Sequence, residues 1–267
     1  TTAERAGDFT SSRLPVPNVP GVGPLPQIPG FFQHPVGQAI AALYPLPNRA
    51  STGANFVSSP TLSDDEHHFD VRIDHAFTPS SELSARYSFA DRDLVEPFSG
   101  PTFSLVPNYG NQVLRRAQNL MVGETHVFSP ALINEFRSAF HRVAIAVNQE
   151  GQRPSSNSRV GLPDVSSRQR DLGLSFIRVS GLSPLGHEFN NPQASESNTF
   201  QLIDQVSYVR GLHNIRFGGE FRALQQDAFR DVQSRGFLQF LGVFTGNPLA
   251  DLLMGLPTVT GVAQLDN

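Results

Sequence analysis

The chain has no cysteine, no tryptophan and no lysine; all 20 of its basic residues are arginine. Without cysteine there are no disulfides, thiolate metal sites, iron–sulfur clusters or cysteine nucleophiles. Charge is scarce as well: Asp, Glu, Lys and Arg together make up 16% of the 267 residues, against roughly 25% in ordinary soluble domains. The formal net charge is −4, which argues against a nucleic-acid binder or an anionic-membrane binder that relies on a basic field. The chain starts Thr1-Thr2-Ala3-Glu4-Arg5, with neither Met nor an apolar leader. The expectation is a piece of a longer protein. Residues 236–265 hold one charge, Asp251, but glycine and proline recur through them, so a spanning helix is rejected.

In place of these residues the chain carries 22 Gly, 21 Pro and 21 Phe. That composition favours turns and strands over long helices. Residues 1–65 hold 10 of the prolines and read either as a long irregular loop, with a short helix near Gly37–Leu43 stopped by Pro45, or as a disordered tail.

From residue 66 the pattern changes to period two. Phe69, Val71, Ile73, His75 and Phe77 alternate with Asp70, Arg72, Asp74 and Ala76. After the turn Thr78–Glu82, Leu83, Ala85, Tyr87 and Phe89 alternate with smaller and charged residues. This is a β-hairpin. Pairing Phe77 with Leu83 sets Asp74 opposite Arg86, whereas sliding by one pair sets Arg72 opposite Arg86, so charge favours the first register. A second hairpin turns at Phe128-Ser129-Pro130-Ala131, and a third at Arg210-Gly211-Leu212-His213. Glu124 and Asp204 break the apolar parity of their strands. Strands are expected near 67–77, 82–91, 115–128, 132–143, 198–209 and 214–226, and more weakly near 236–244 and 258–266. This divides the chain into a Pro-rich loop, 1–65, and a β region, 66–267.

Short turns thus alternate with long connections, 91–114 and 143–197. A soluble sandwich would have short turns at both ends. A transmembrane barrel has short turns at one rim, long loops at the other, a polar interior and an apolar exterior with aromatics near the rims. Phe77, Phe128 and Tyr208 sit beside the short turns, as an interfacial girdle requires. The expected fold is therefore all-β: an antiparallel up-and-down transmembrane β-barrel segment of about six to eight strands of a larger barrel.

Several stretches then resemble one family in order along the chain. They are Thr2–Phe9 (TAERAGDF), Ala41–Asn48 (AALYPLPN), Val71–Phe77 (VRIDHAF), Ala85–Phe89 (ARYSF), Thr125–Pro130 (THVFSP) with Asn134–Arg137 (NEFR), Val209–His213 (VRGLH), Phe217–Arg222 (FGGEFR) and Gly246–Pro257 (GNPLADLLMGLP). Together they are similar to Oar-like TonB-dependent outer-membrane receptors. The resemblance implies an early-to-middle fragment of a 22-stranded barrel in the bacterial outer membrane. It also implies a solute taken up through a gated plug, energy supplied through TonB, and no bond chemistry in the wall. The implied partners are outer-membrane lipid, the plug domain, TonB and a solute, with no nucleic acid and no cofactor. The turns at 78–82, 129–131 and 210–213 would face the periplasm; 1–65, 91–114, 143–197 and 227–234 would face outside; and Gly246–Pro257 would be a longer periplasmic connection.

No catalytic, cofactor-binding or metal residues are assigned, and the substrate-binding residues are left open. Asp64, Asp65, Glu66, His67 and His68 crowd together, but neighbouring strand residues point to opposite faces, so the two imidazoles diverge. Asp70 and Asp74 flank Arg72 and read as a charge ladder lining a wet lumen rather than an acid–base pair. Ser129 lacks a nucleophile-elbow context, and neither Gly218-Gly219 nor Gly21-Val22-Gly23 lies between a strand and a helix. Two other classes compete: a soluble β-sandwich module binding carbohydrate or another ligand, and a secreted β-rich hydrolase. The sandwich would bury Val71, Ile73, Tyr87, Phe136, Phe217 and Phe221, whereas the barrel would expose them.

Overall fold

The computed structural model describes residues 1–51, 54–98, 104–150 and 156–263. Its elements, in chain order, are α1 (Thr2–Arg5), β1 (Asn18–Val19), β2 (Gly23–Pro24), α2 (Pro35–Leu43), β3 (Ser63–Thr78), β4 (Ser81–Glu96), β5 (Asn111–Ser129), β6 (Leu132–Gln149), α3 (Ser156–Arg159), β7 (Phe176–Val179), β8 (Gln193–Arg210), β9 (His213–Arg230), β10 (Phe237–Phe240), α4 (Pro248–Leu253) and β11 (Val259–Gly261).

Six long strands make one antiparallel sheet in the order β3-β4-β5-β6-β8-β9. This is an up-and-down wall: each strand pairs with its predecessor in the sheet, β3 with β4, β5 with β6 and β8 with β9 through the short turns at 79–80, 130–131 and 211–212, and β4 with β5 and β6 with β8 across the long connections. The sheet is open, and β3 and β9 are its edges. No helix among the described residues is long and apolar enough to cross a membrane.

The apolar face is uncovered. Phe69, Ile73, Phe217 and Phe221 are 49%, 62%, 59% and 64% exposed, so they do not converge into a dry interior. Among the described residues no second sheet layer lies on them, and the sandwich alternative is not what this chain forms. An exposed apolar face of this extent is what a lipid-facing wall requires.

The first hairpin departs from the charge-based expectation. Ile73 pairs with Ala85, Val71 with Tyr87, and Arg72 sits opposite Arg86. A bulge between Ala76 and Thr78 sets this register. The slide equals two residues, so both faces keep their character, and the hydrophobic pattern cannot distinguish the registers. The like-charge contact is relieved on the same face. Arg72 holds Asp74 at 2.9 Å, Arg86 holds Asp70 at 3.0 Å, and Ser88 also donates to Asp70.

The strands run 16–19 residues, well beyond the 9–11 needed to cross a bilayer. On the apolar face, the stretch from Phe77 to Phe69 spans about 27 Å at roughly 3.4 Å per residue. At a tilt near 40° it stands about 21 Å tall, close to the roughly 25 Å apolar band of such barrels. Phe77 and Phe128 mark the turn-side border; Phe69 stacked on Phe89 (5.3 Å) and Phe140 against Phe200 (5.0 Å) mark the other.

Beyond the second aromatic row the same face becomes polar. Arg116 pairs with Asp91 at 3.0 Å, Arg142 with Glu196 at 2.6 Å, and Gln118 donates to Tyr87 Oη at 2.8 Å. The strands therefore project past the lipid on the side of the long connections.

Those connections fold together. Residues of 1–45, 104–109, 156–189 and 231–257 build a cap with its own core, including Phe9, Ile40, Ile177, Leu185, Phe240 and Leu252. Phe237–Phe240 is parallel to β7 and antiparallel to β11. The expected seventh and eighth strands are thus short strands of a separate three-stranded sheet and do not extend the wall; residues 264–266 of the latter lie outside the described ones. Helix α2 spans Pro35–Leu43, with His34 as N-cap and Pro35 in the first turn. It packs on α4 so closely at Gly37 that a Cβ there would strike the carbonyls of Leu252 and Leu253.

Gly246–Pro257 is also in the cap, at the rim of the long connections and not at the turn rim. His34 donates its backbone N–H to the Leu253 carbonyl at 2.7 Å, and Asn247 Nδ2 donates to the Pro15 carbonyl at 2.7 Å. The physical reason is local: β9 runs from the turn rim to Arg230, and the apolar Leu249, Ala250, Leu252 and Leu253 that follow are buried in the nearest core.

Candidate functional site

Among the described residues, charged and polar side chains gather in two places, the polar face of the wall and the cap. The polar face repeats one device, an arginine held by a carboxylate. Arg92 meets Asp64 at 2.6 Å, Arg137 meets Glu135 at 3.6 Å, and Arg222 meets Glu220 at 2.6 Å. Gln201 Nε2 donates to Glu220 at 2.9 Å. Exposed pairs of this kind contribute about 0–1 kcal/mol each. Their role is to present alternating charge along a wet surface. Asp70 belongs to this ladder with Arg86, and Asp74 with Arg72.

The His67-His68 region does not gather. His67 pairs with Asp91 and His68 with Ala90, on opposite faces. No group of three or more His, Asp or Glu that would suit a metal occurs among the described residues. Ser129 ends β5 and its hydroxyl accepts from the Ala131 N–H, a turn contact. Gly219 lies opposite Asp204, and Asp204 accepts from Asn134 Nδ2 at 2.6 Å; this partner satisfies the acid on the apolar face.

The cap is held by buried polar groups. Asn247 caps α4 by accepting from the N–H groups of Leu249 and Ala250, each at 3.0 Å. Asp251 is fully buried and accepts from Thr245 N at 2.9 Å, Thr245 Oγ1 at 2.7 Å and Phe244 N at 3.3 Å. The single charge in this apolar run is therefore a knot for its own loop. Arg235, 5% exposed, donates to the carbonyls of Leu172 (3.1 Å), Arg170 (2.8 Å) and Asn191. Burial pushes its guanidinium down to about 10. Asp231 binds Arg168 at 2.7 Å, and Arg168 also binds Asp171 at 2.6 Å.

Between α2 and the 104–109 and 156–160 segments lies a cavity of about 710 Å³. Ala39, Ala42, Leu43, Val106, Val160 and Leu174 supply apolar walls; Asn108, Tyr109, Arg159 and His187 supply polar groups. His187 is 4% exposed and its ring meets Tyr109 edge-on at 5.5 Å. Its Nδ1 has no hydrogen-bond partner. The sequence does not announce this cavity, because its residues come from six separated stretches with no shared period or spacing.

Burial, with the charge of Arg235 adding, pushes the His187 pKa down to about 3 from 6.5. The unfolded chain takes up a proton below about 6.5; the folded cap does not until about 3. The contribution of His187 to cap stability is therefore full above pH 6.5 and is lost as the pH drops toward 3, by about 1.4 kcal/mol per unit. Urea melts of the cap should show a loss of about 2 kcal/mol from pH 7 to pH 5, and His187→Phe should abolish that difference.

No curated protein and no solved structure matches the chain. A family model does, over residues 1–267: the one described as outer membrane beta barrel domain. An open wall of amphipathic strands, apolar on the uncovered face, charged on the other and capped at one rim, belongs to that family: the chain is an outer-membrane β-barrel domain protein of the bacterial outer membrane.

Proposed function

We propose that this chain is the wall and outer cap of a TonB-dependent transporter that takes up a solute across the outer membrane. The observation that carries this reading is the ordered run of Oar-like stretches, from Thr2–Phe9 to Gly246–Pro257. In this reading further strands pair with the free edges of β3 and β9 and close the barrel. A plug fills the charged lumen, TonB acts on that plug, and the short turns face the periplasm. The cap then stands outside the cell, where a solute is first met. The wall binds and guides and makes or breaks no bond. Its partners are lipid, plug, TonB and the solute, and nucleic acid is not among them.

The placement of Gly246–Pro257 favours this division of labour. That stretch is part of the cap core, so the cap is a folded body rather than a set of separate loops. A folded body at one rim suits capture before passage.

The test is uptake by cells that carry the full-length receptor. Culture filtrates are compared by mass spectrometry for solutes depleted by these cells and not by receptor-deletion cells. Depletion that disappears when TonB is deleted supports the proposal. Depletion that persists without TonB identifies a passive pore and overturns it.

A further inference from the structure

The cap cavity has a chemistry of its own. Its walls are mostly aliphatic, its volume of about 710 Å³ falls in the range of small-molecule sites, and its few polar groups differ in kind. Arg159 is exposed at its edge and forms no salt bridge among the described residues. This sets it apart from the wall arginines, most of which are paired with a carboxylate. His187 is buried, lines the cavity, and leaves Nδ1 unpartnered. A buried polar atom with no partner costs free energy unless something bonds to it. Tyr44 Oη, one residue past the cavity-lining Leu43, is buried and unpartnered in the same way. Tyr109 and His187, whose rings meet edge-on, add aromatic surface to the lining.

From these features we infer that the cap cavity binds a small ring-bearing carboxylic acid, aromatic or alicyclic. Arg159 takes the carboxylate through its guanidinium fork. The apolar walls of α2, Val106, Val160 and Leu174 take the ring. His187 bonds a hydroxyl or carbonyl group on the ring's far side. The inference deepens the transport proposal by naming a class of solute, yet binding to the cap needs neither plug nor TonB.

The probe is 2-naphthoate, with the neutral 2-naphthylmethanol as its partner. The chain has four tyrosines and no tryptophan, so naphthalene fluorescence excited at the long-wavelength edge of its band, beyond tyrosine absorption, is read without a protein background. Titrations use the purified protein in detergent against protein-free micelles. The unaltered protein is expected to bind 2-naphthoate saturably. Arg159→Gln should weaken 2-naphthoate about tenfold or more, the loss of one charge-assisted contact, and leave 2-naphthylmethanol unchanged. Ala42→Phe, at an exposed position on the cavity edge, should weaken both probes. Absence of saturable binding to the unaltered protein, or binding indifferent to both substitutions, overturns the inference. Circular dichroism of each variant establishes that the fold is retained. A receptor whose uptake proved independent of TonB would fail the transport proposal and leave this binding intact.

Discussion

Leu202→Arg is expected to destabilise the protein in lipid vesicles by about 2–4 kcal/mol, the cost of an arginine well inside the apolar band of a barrel. Leu202 lies on an interior strand, opposite Ser138 and Phe221, and is 44% exposed. Its neighbour Ile203 faces the other way, between Arg137 and Glu220. Ile203→Arg places a cation between an acid and another cation on the charged, wet face, where exposed charge contacts are small, so its expected cost is under about 1 kcal/mol. The two substitutions lie one position apart, and each replaces a four-carbon aliphatic side chain by arginine. Urea titrations followed by circular dichroism measure both. Equal costs, or the larger cost at Ile203, would mean that lipid touches the charged face, and the assignment of wall and lumen would be reversed.

Arg235→Leu should cost the cap about 3–5 kcal/mol. The side chain fills a buried site where three backbone carbonyls, those of Arg170 and Leu172 in one segment and Asn191 in another, accept from one guanidinium. Leucine leaves those carbonyls without a donor, and burial denies them water. Arg235→Lys should recover part of the loss, since one ammonium cannot reproduce the planar fork. Hydrogen exchange reads the effect locally. The Ile177 and Leu185 amides, bonded to each other's carbonyls at 2.9 Å, should lose protection, while amides in the middle of β5 and β6 keep theirs. Protection lost equally in both would show that cap and wall unfold as one unit.

The wall was readable from sequence where lipid imposes a pattern. Phe69 to Phe77 and Leu83 to Phe89 alternate because one face meets hydrocarbon and the other meets water. The period-two signal ends near Asp91, Arg115, Val143 and Asn198, whereas the strands continue to Glu96, Asn111, Gln149 and Gln193. Outside the lipid neither face must be apolar, so pairing persists after alternation stops. The second aromatic row escaped notice for a related reason: Phe89, Phe140 and Phe200 are each the last apolar residue before the pattern dissolves, and only pairing aligns them.

What the residues determined by themselves was a wall with an apolar face and a charged face, short turns at one rim and long connections at the other. Tertiary structure decided the rest. The first register depends on a bulge and on where Arg72 and Arg86 find carboxylates, and a two-residue slide leaves the hydrophobic pattern unchanged. The cap depends on contacts between segments up to 232 residues apart, as in Asn247 with Pro15. Its cavity joins an α2 alanine to a histidine far along the chain. Periodicity encodes the solvent on each side of a strand; it carries no information on which distant loop will share a core.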